Sequence, residues 1–268
     1  MSYININGQL IAEEAAALSL SNRGFQYADG LFETMIFQSG KIRFFEDHLE
    51  RLLAGMERFY LVKEGLPRRE TLRGQILSVV KANKLETARV KLYVCRQEGG
   101  LYAPQSRQSN WMISATAFQP APSVKAKTVI AKAVYINPTA LSPYKTISAA
   151  GYVLAGIERT QRKADEIILL NGTGHVVEAG AANLFWLKEN VIYTPAISCG
   201  CIAGVMRKNV TLLLREQGYE VKEIITGPEH MLQADSVFTT NVSGISFLTN
   251  IEGHKIGIAE ELAFLTEL

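Results

Sequence analysis

Near the middle of the chain, Gln119-Pro120-Ala121-Pro122-Ser123 interrupts both the helical and the strand period. Each proline lacks an amide donor and has a fixed φ, so a regular element does not run through two of them placed so close together. The segment reads as a connector, and the chain is expected to fold as two lobes: an N-terminal α/β domain over 1–118, a linker at 119–123 and a larger C-terminal domain over 124–268. With 268 residues the chain is long enough to bury a sizeable core.

The periodicities on either side support an α/β, or two-domain α+β, fold. Residues 3–7 alternate and end at Asn7-Gly8, which predicts a hairpin. From Phe45 the apolar positions Leu49, Leu52, Leu53, Met56, Phe59 and Tyr60 recur at helical spacing. Pro67 is expected at the first position of a second helix that carries Leu72, Ile76, Val79 and Val80 inward. Val90, Leu92 and Val94 alternate with Lys91, Tyr93 and Cys95 as a half-buried strand, and another strand is expected near 111–118. Beyond the linker come a strand near 128–134 and a helix near 149–163. Two hairpins follow, one across Asn171-Gly172-Thr173-Gly174 and one turning at Glu189-Asn190. A helix over 204–217 is stopped by Gly218, with strands near 219–225 and 236–240.

Composition narrows the function classes. Hydrophobic residues make up 47% and charged residues 20%, which suits a globular protein and not a disordered or collagenous one. Lys and Arg total 28 against 26 Asp and Glu, with no basic run to track a phosphate backbone, so nucleic acid is not expected as a partner. No apolar stretch approaches the roughly 18 residues of a bilayer span, and no membrane partner is expected. Met1-Ser2-Tyr3-Ile4-Asn5-Ile6-Asn7-Gly8 lacks a basic region followed by an apolar one, and Cys95, Cys199 and Cys201 form no disulfide framework. Both observations point to the cytoplasm. His48, His175, His230 and His254 are scattered, and Cys199-Gly200-Cys201 has no second ligand pair, so no metal is expected. Gly172-Thr173-Gly174 lacks the third glycine of a dinucleotide loop and reads as a plain turn.

Two isolated charges stand out. Lys145 is the only charged residue between Lys132 and Glu158. A lysine in such a stretch either snorkels to water or is partly desolvated, and desolvation makes its neutral amine available for Schiff-base chemistry or proton transfer. Glu178 is the only Asp, Glu, Lys or Arg between Glu166 and Lys188 and precedes Ala179-Gly180-Ala181-Ala182. It is suited to a structural ion pair, to a general base, or to the counter-charge of a cationic cofactor nitrogen. Arg51 borders the apolar stripe of the first long helix, either as a solvated side chain or as a fork for phosphate. Gly204-Val205-Met206-Arg207 opens the later helix, where backbone amides favour an anion.

These features occur together in an order that resembles the class IV aminotransferase and lyase family, the fold type IV pyridoxal-phosphate enzymes. The resemblance is carried by Asn22-Arg23-Gly24-Phe25-Gln26-Tyr27-Ala28-Asp29-Gly30-Leu31-Phe32-Glu33-Thr34, by His48-Leu49-Glu50-Arg51-Leu52, by Lys145, and most specifically by Glu178-Ala179-Gly180-Ala181-Ala182-Asn183-Leu184-Phe185-Trp186. Tyr193-Thr194-Pro195, Gly204-Val205-Met206-Arg207 and Ala234-Asp235 continue it. It implies a small N-terminal α/β domain and a larger pseudo-barrel domain that binds pyridoxal 5'-phosphate. Lys145 would be the Schiff-base lysine, Glu178 the partner of the pyridine nitrogen, and Arg51 a phosphate ligand. The amides of Val205 and Met206, with Thr240 and Asn241, would complete the phosphate cup. Tyr27, Phe32 and Tyr102 would face a small amino substrate, and the working unit would be a homodimer in which residues 98–104 reach the neighbouring subunit's site.

Within that family, Ala181-Ala182-Asn183-Leu184-Phe185-Trp186 looks more like the 4-amino-4-deoxychorismate lyases, which form 4-aminobenzoate and pyruvate. Branched-chain aminotransferases usually carry a tyrosine five residues after the lysine, where this chain has Ala150. Against the lyase pattern, Leu101 stands where an arginine is common, with Tyr27, Tyr102 and Arg107 as compensating donors. The alternative is an aminotransferase acting on branched-chain or other amino acids. A degenerate member that binds the cofactor as a regulator is a further alternative, against which the intact Lys145 and Glu178 speak.

Overall fold

Along the chain, short antiparallel strands and two amphipathic helices build a first unit, Met1–Gln119, to which the separate segment Tyr144–Ser148 also belongs. The second unit takes Pro120–Pro143 and the chain from Ala149 onward. The computed structural model describes residues 1–267.

The first unit contains β1 (Tyr3–Ile6), β2 (Gln9–Ala12), α1 (Arg23–Tyr27), β3 (Gly30–Gln38), β4 (Lys41–Ile42), α2 (Phe45–Arg58), α3 (Arg69–Ala82), β5 (Ala88–Arg96) and β6 (Ser109–Ala117). Its sheet is antiparallel with the order β2-β1-β6-β5-β3-β4. Asn7 and Gly8 both take positive φ, which closes the expected first hairpin with the twist that two-residue turns favour. The period-2 alternation sends Leu31, Met35, Val90, Leu92, Val94 and Ile113 into a core with Leu52, Met56, Leu72, Ile76 and Val79 from α2 and α3. On the opposite face, Phe32 stands across from Tyr93 and Thr34 across from Lys91.

The second unit contains β7 (Val124–Lys125), β8 (Thr128–Ile130), α4 (Ala150–Gln161), β9 (Glu166–Leu170), β10 (Val176–Ala179), β11 (Asn183–Lys188), β12 (Val191–Pro195), α5 (Val205–Glu216), β13 (Glu220–Ile224), α6 (Pro228–Leu232), β14 (Ser236–Asn241), β15 (Gly244–Leu248), β16 (Asn250–Ile251) and β17 (His254–Lys255). They form two sheets, β10-β9-β8-β16-β17 and β13-β12-β11-β14-β15-β7. Ile168 and Val176 from one sheet share a core with Leu184, Trp186 and Val237 from the other. The expected pseudo-barrel is thus two sheets around common apolar contents.

Three details differ from the sequence expectation. Pro67 does not open α3, because the helix begins at Arg69 with Arg68 as its N-cap. The strand expected near 128–134 stops at Ile130, since the amides of Lys132 and Ala133 turn to the Glu158 carboxylate instead of a neighbouring strand. Tyr144–Ser148, placed by linear division in the second lobe, belongs with the first because its backbone pairs along β3.

Candidate functional site

In the first unit, the position of Lys145 is set by backbone. The Phe32 amide donates to the Lys145 carbonyl at 2.8 Å, and the Ile147 amide donates to the Gly30 carbonyl at 3.1 Å. A Cβ on Gly30 would lie 2.5 Å from the Val94 carbonyl oxygen and 2.8 Å from the Ile147 side-chain Cδ1, so glycine there lets the β5 backbone and the Ile147 side chain approach. The Lys145 Nζ lies 4.6 Å from the centroid of the Phe32 ring. A second lysine shares that aromatic surface: Lys91 Nζ is 6.0 Å from the Phe32 centroid and 5.8 Å from that of Tyr93. Phe32 and Tyr93 are themselves stacked with centroids 5.8 Å apart. Sequence reading marked Lys91 only as the outward position of a strand, and that alternation with Tyr93 was the available signal.

Arg51 forms a fork with Glu33, Nε to Oε1 at 2.8 Å and Nη2 to Oε2 at 2.6 Å. His48 Nδ1 lies 2.7 Å from the same Oε2. Glu33 and His48 are buried. Burial pulls the Glu33 carboxyl upward, but the Arg51 charge and the bonds from His48 and Arg51 outweigh it and hold the group below its ordinary value. His48 therefore has a specific structural partner that sequence reading did not supply.

The segment around Leu101 is fastened from below. Arg23 Nη1 donates to the carbonyls of Gly99, Gly100 and Leu101 at 3.2, 3.0 and 2.7 Å. Its Nε reaches Asp29 Oδ2 at 2.8 Å, where Arg96 Nε also donates at 2.9 Å. The ring of Tyr27 lies under the Arg23 guanidinium and 5.7 Å from the ring of Tyr102. Leu101 is 75% exposed and Tyr102 91% exposed. Arg107, expected as a compensating donor, places its Nε on the Tyr60 carbonyl at 3.0 Å.

In the second unit, Glu178 sits on β10 where the pairing with β9 shifts register between Val176 and Glu178. Such an irregularity re-aims the side chain that follows it. The carboxylate is buried, and donors meet both of its oxygens. Tyr152 from α4 donates its hydroxyl to Oε1 at 2.5 Å, while Asn183 Nδ2 and the Ile202 amide lie 3.3 and 3.2 Å from Oε2. The Cys201 thiol nearby is pushed up to about 12 by burial and the Glu178 charge. Tyr152 and Asn183 were not singled out from sequence; twenty-six residues separate Tyr152 from its partner.

Val205 and Met206, both buried, open α5 after the N-cap Gly204, which supplies no side-chain acceptor to the first amides. A Cβ on Gly204 would fall 1.9 Å from Asn183 Oδ1, so glycine at the helix start leaves room for the Asn183 side-chain amide. α5 packs on β14, where Asn183 pairs with Thr240. Thr240 is buried, and its hydroxyl has no hydrogen-bond partner. Asn241 Nδ2 donates to the Ala181 carbonyl at 3.0 Å, and its Oδ1 accepts from the Ser243 amide at 2.8 Å. The cysteines are all buried and unbridged. Among the described residues no cluster of His, Cys, Asp or Glu could hold a metal ion, and no helix is long and apolar enough to cross a membrane.

The family model for class IV aminotransferases matches residues 30–251. The chain belongs to that family. Its members are pyridoxal 5'-phosphate-dependent enzymes, so this chain is of the aminotransferase or lyase type. Among its relatives is an aminodeoxychorismate lyase of Vibrio harveyi, 29% identical over 252 residues that cover 89% of this chain and 91% of the relative. A D-alanine aminotransferase of Listeria monocytogenes serotype 4b is 26% identical over 262 residues, covering 94% and 88% of the two chains. The crystal structure of a branched-chain aminotransferase from Thermoproteus uzoniensis with norvaline matches with a TM-score of 0.90 at 22% identity, covering 99% of this chain and 92% of that one, and the fold is type IV.

The residues present fit the family cofactor. An orphaned, buried Thr240 hydroxyl on a strand packed against an uncapped helix start matches a phosphate, which supplies acceptors to both. A buried, acceptor-only carboxylate at Glu178 matches a protonated ring nitrogen.

Proposed function

We propose that the chain is a pyridoxal 5'-phosphate-dependent lyase that converts 4-amino-4-deoxychorismate into 4-aminobenzoate and pyruvate. The observation that carries this reading is the pair of lysines on one aromatic surface, Lys145 and Lys91 about Phe32. The neutral amine of Lys145 serves the chemistry at the amino-bearing carbon, and the Lys91 ammonium offers a charge to a substrate carboxylate, which answers the absence of an arginine at Leu101. The likeness to the Vibrio harveyi relative, along nearly its whole length, supports it.

When bound, the cofactor supplies an electron sink for the pair left at the substrate carbon. Lys145 would hold the cofactor, and its neutral amine would take the proton from the amino-bearing carbon as general base. The enolpyruvyl group then leaves with the electron pair of its C–O bond and becomes pyruvate on taking up a proton. Glu178 would keep the ring nitrogen protonated, and the amides of Val205 and Met206, with Thr240 and Asn241, would hold the phosphate, for which the family resemblance also implies Arg51. Tyr27, Phe32 and Tyr102 line the substrate. The exposed Leu101 and Tyr102, on a segment made rigid by Arg23, support a homodimer in which this segment meets the neighbouring subunit. Sedimentation as a dimer is expected at assay concentration, and a fully active monomer would contradict it. The buried free thiols suit the cytoplasm.

A second reading, transamination of branched-chain or other amino acids, is favoured by Leu101 itself, whose exposed apolar side chain suits a substrate with one carboxylate. The deciding assay supplies deoxychorismate alone, then L-leucine or D-alanine with 2-oxoglutarate. Equal yields of pyruvate and 4-aminobenzoate without any amino acceptor are expected. Sustained turnover only in the paired reactions would overturn the lyase reading.

A further inference from the structure

Tyr152 meets Glu178 from a different element, and nothing in the family pattern given above assigns it a task. Its hydroxyl approaches Oε1 at 2.5 Å, in the range of a charge-assisted O–H···O⁻ bond. Burial together with the Glu178 charge pushes the ionisation of this phenol far above its ordinary value, so it remains a donor at all working conditions. With Asn183 and the Ile202 amide at Oε2, the carboxylate is gripped at both oxygens.

Tyr152, Asn183 and the Ile202 amide are each neutral donors. A donor lowers the carboxylate's affinity for a proton. A neutral donor does so without bringing a positive charge to compete with the one that the carboxylate is to stabilise. We propose that Tyr152 is a positioning residue whose hydroxyl keeps Glu178 ionised, so that the proton shared with the cofactor's ring nitrogen stays on the ring. The proposal rests on the reading of Glu178 as the partner of that nitrogen. Removal of the hydroxyl makes Glu178 the better base and draws the proton toward the carboxylate.

The test is nitrogen-15 magnetic resonance on holoenzyme loaded with cofactor labelled at the ring nitrogen. It compares the wild type with Tyr152→Phe, with 4-fluorophenylalanine at 152, which fills the phenol's volume without a donor, and with 4-aminophenylalanine, which restores one. Wild type is expected in the protonated range. The two donor-free variants are expected to shift toward the unprotonated value and to bind cofactor about tenfold more weakly, the scale of one lost charged hydrogen bond. 4-Aminophenylalanine is expected to restore part of both. Wild-type resonance in a folded donor-free variant, or no rescue by the amino variant, would overturn the role of Tyr152. Glu178→Gln separates the two levels. If its resonance also equals that of wild type, the reading of Glu178 has failed. If Glu178→Gln shifts while the Tyr152 variants do not, only the present proposal falls.

Discussion

Two buried glutamates, one in each unit, are held in opposite ways. Glu33 is bonded by Arg51 and His48, a guanidinium fork and an imidazole against a single carboxylate. Glu178 is bonded by a phenol, a side-chain amide and a backbone amide. In the first set the negative charge is spent on a fixed cation and orients Arg51. In the second, the donors at both oxygens are a phenol, a side-chain amide and a backbone amide, each of which favours the anion without itself carrying charge. Both are buried acids; the fork on Glu33 suits architecture, and the proposed function gives Glu178 the chemistry.

The largest expected effect concerns Lys145, which belongs to the same unit as Glu33 and is the Schiff-base lysine of the proposed function. Lys145→Ala should lower turnover by about 10⁴-fold or more, the upper range for a lost general base that is also a nucleophile. Its cofactor-free melting should stay close to wild type, and steady-state assays with thermal melts check both halves. Next comes Glu33→Ala, which removes the buried acceptor shared by Arg51 and His48 and should cost about 3–5 kcal/mol in denaturant unfolding. Glu178→Gln should reverse that pattern, with turnover down about 100-fold and unfolding changed by no more than about 2 kcal/mol. A Glu178→Gln protein that unfolds easily but turns over normally would break the comparison.

A smaller effect sharpens it. The folded value of Glu33 lies below its unfolded value near 4.3, so its contribution is fully present at neutral pH and is lost as pH falls through the folded value. The stability gap between wild type and Glu33→Gln should therefore be widest near pH 7 and narrow below about pH 4 in urea titrations. A gap that widens on acidification would contradict the sign.

Local punctuation was legible in the sequence. Asn7-Gly8, Glu189-Asn190 and Gly218 all adopt the positive φ that their turn chemistry favours. Lys145 and Glu178 were visible because isolation of a charge among apolar neighbours is a one-dimensional property. β3 escaped because its residues are buried on both faces for most of its length, leaving no alternation to read. Tyr152 and the Arg23–Asp29–Arg96 cluster escaped for another reason. Arg96 meets Asp29 across 67 residues, and only sheet register brings such pairs together. The same holds for Lys91, whose outward face became informative once β5 was seen paired with β3.

Two lysines on one aromatic surface make the central assignment directly testable. Purified holoenzyme is reduced with borohydride, digested, and its peptides are mapped by mass spectrometry. The account predicts a single phosphopyridoxyl label, on the peptide that contains Lys145, with Lys91 unmodified. A label on Lys91, or no covalent label on protein that binds the cofactor, would contradict it.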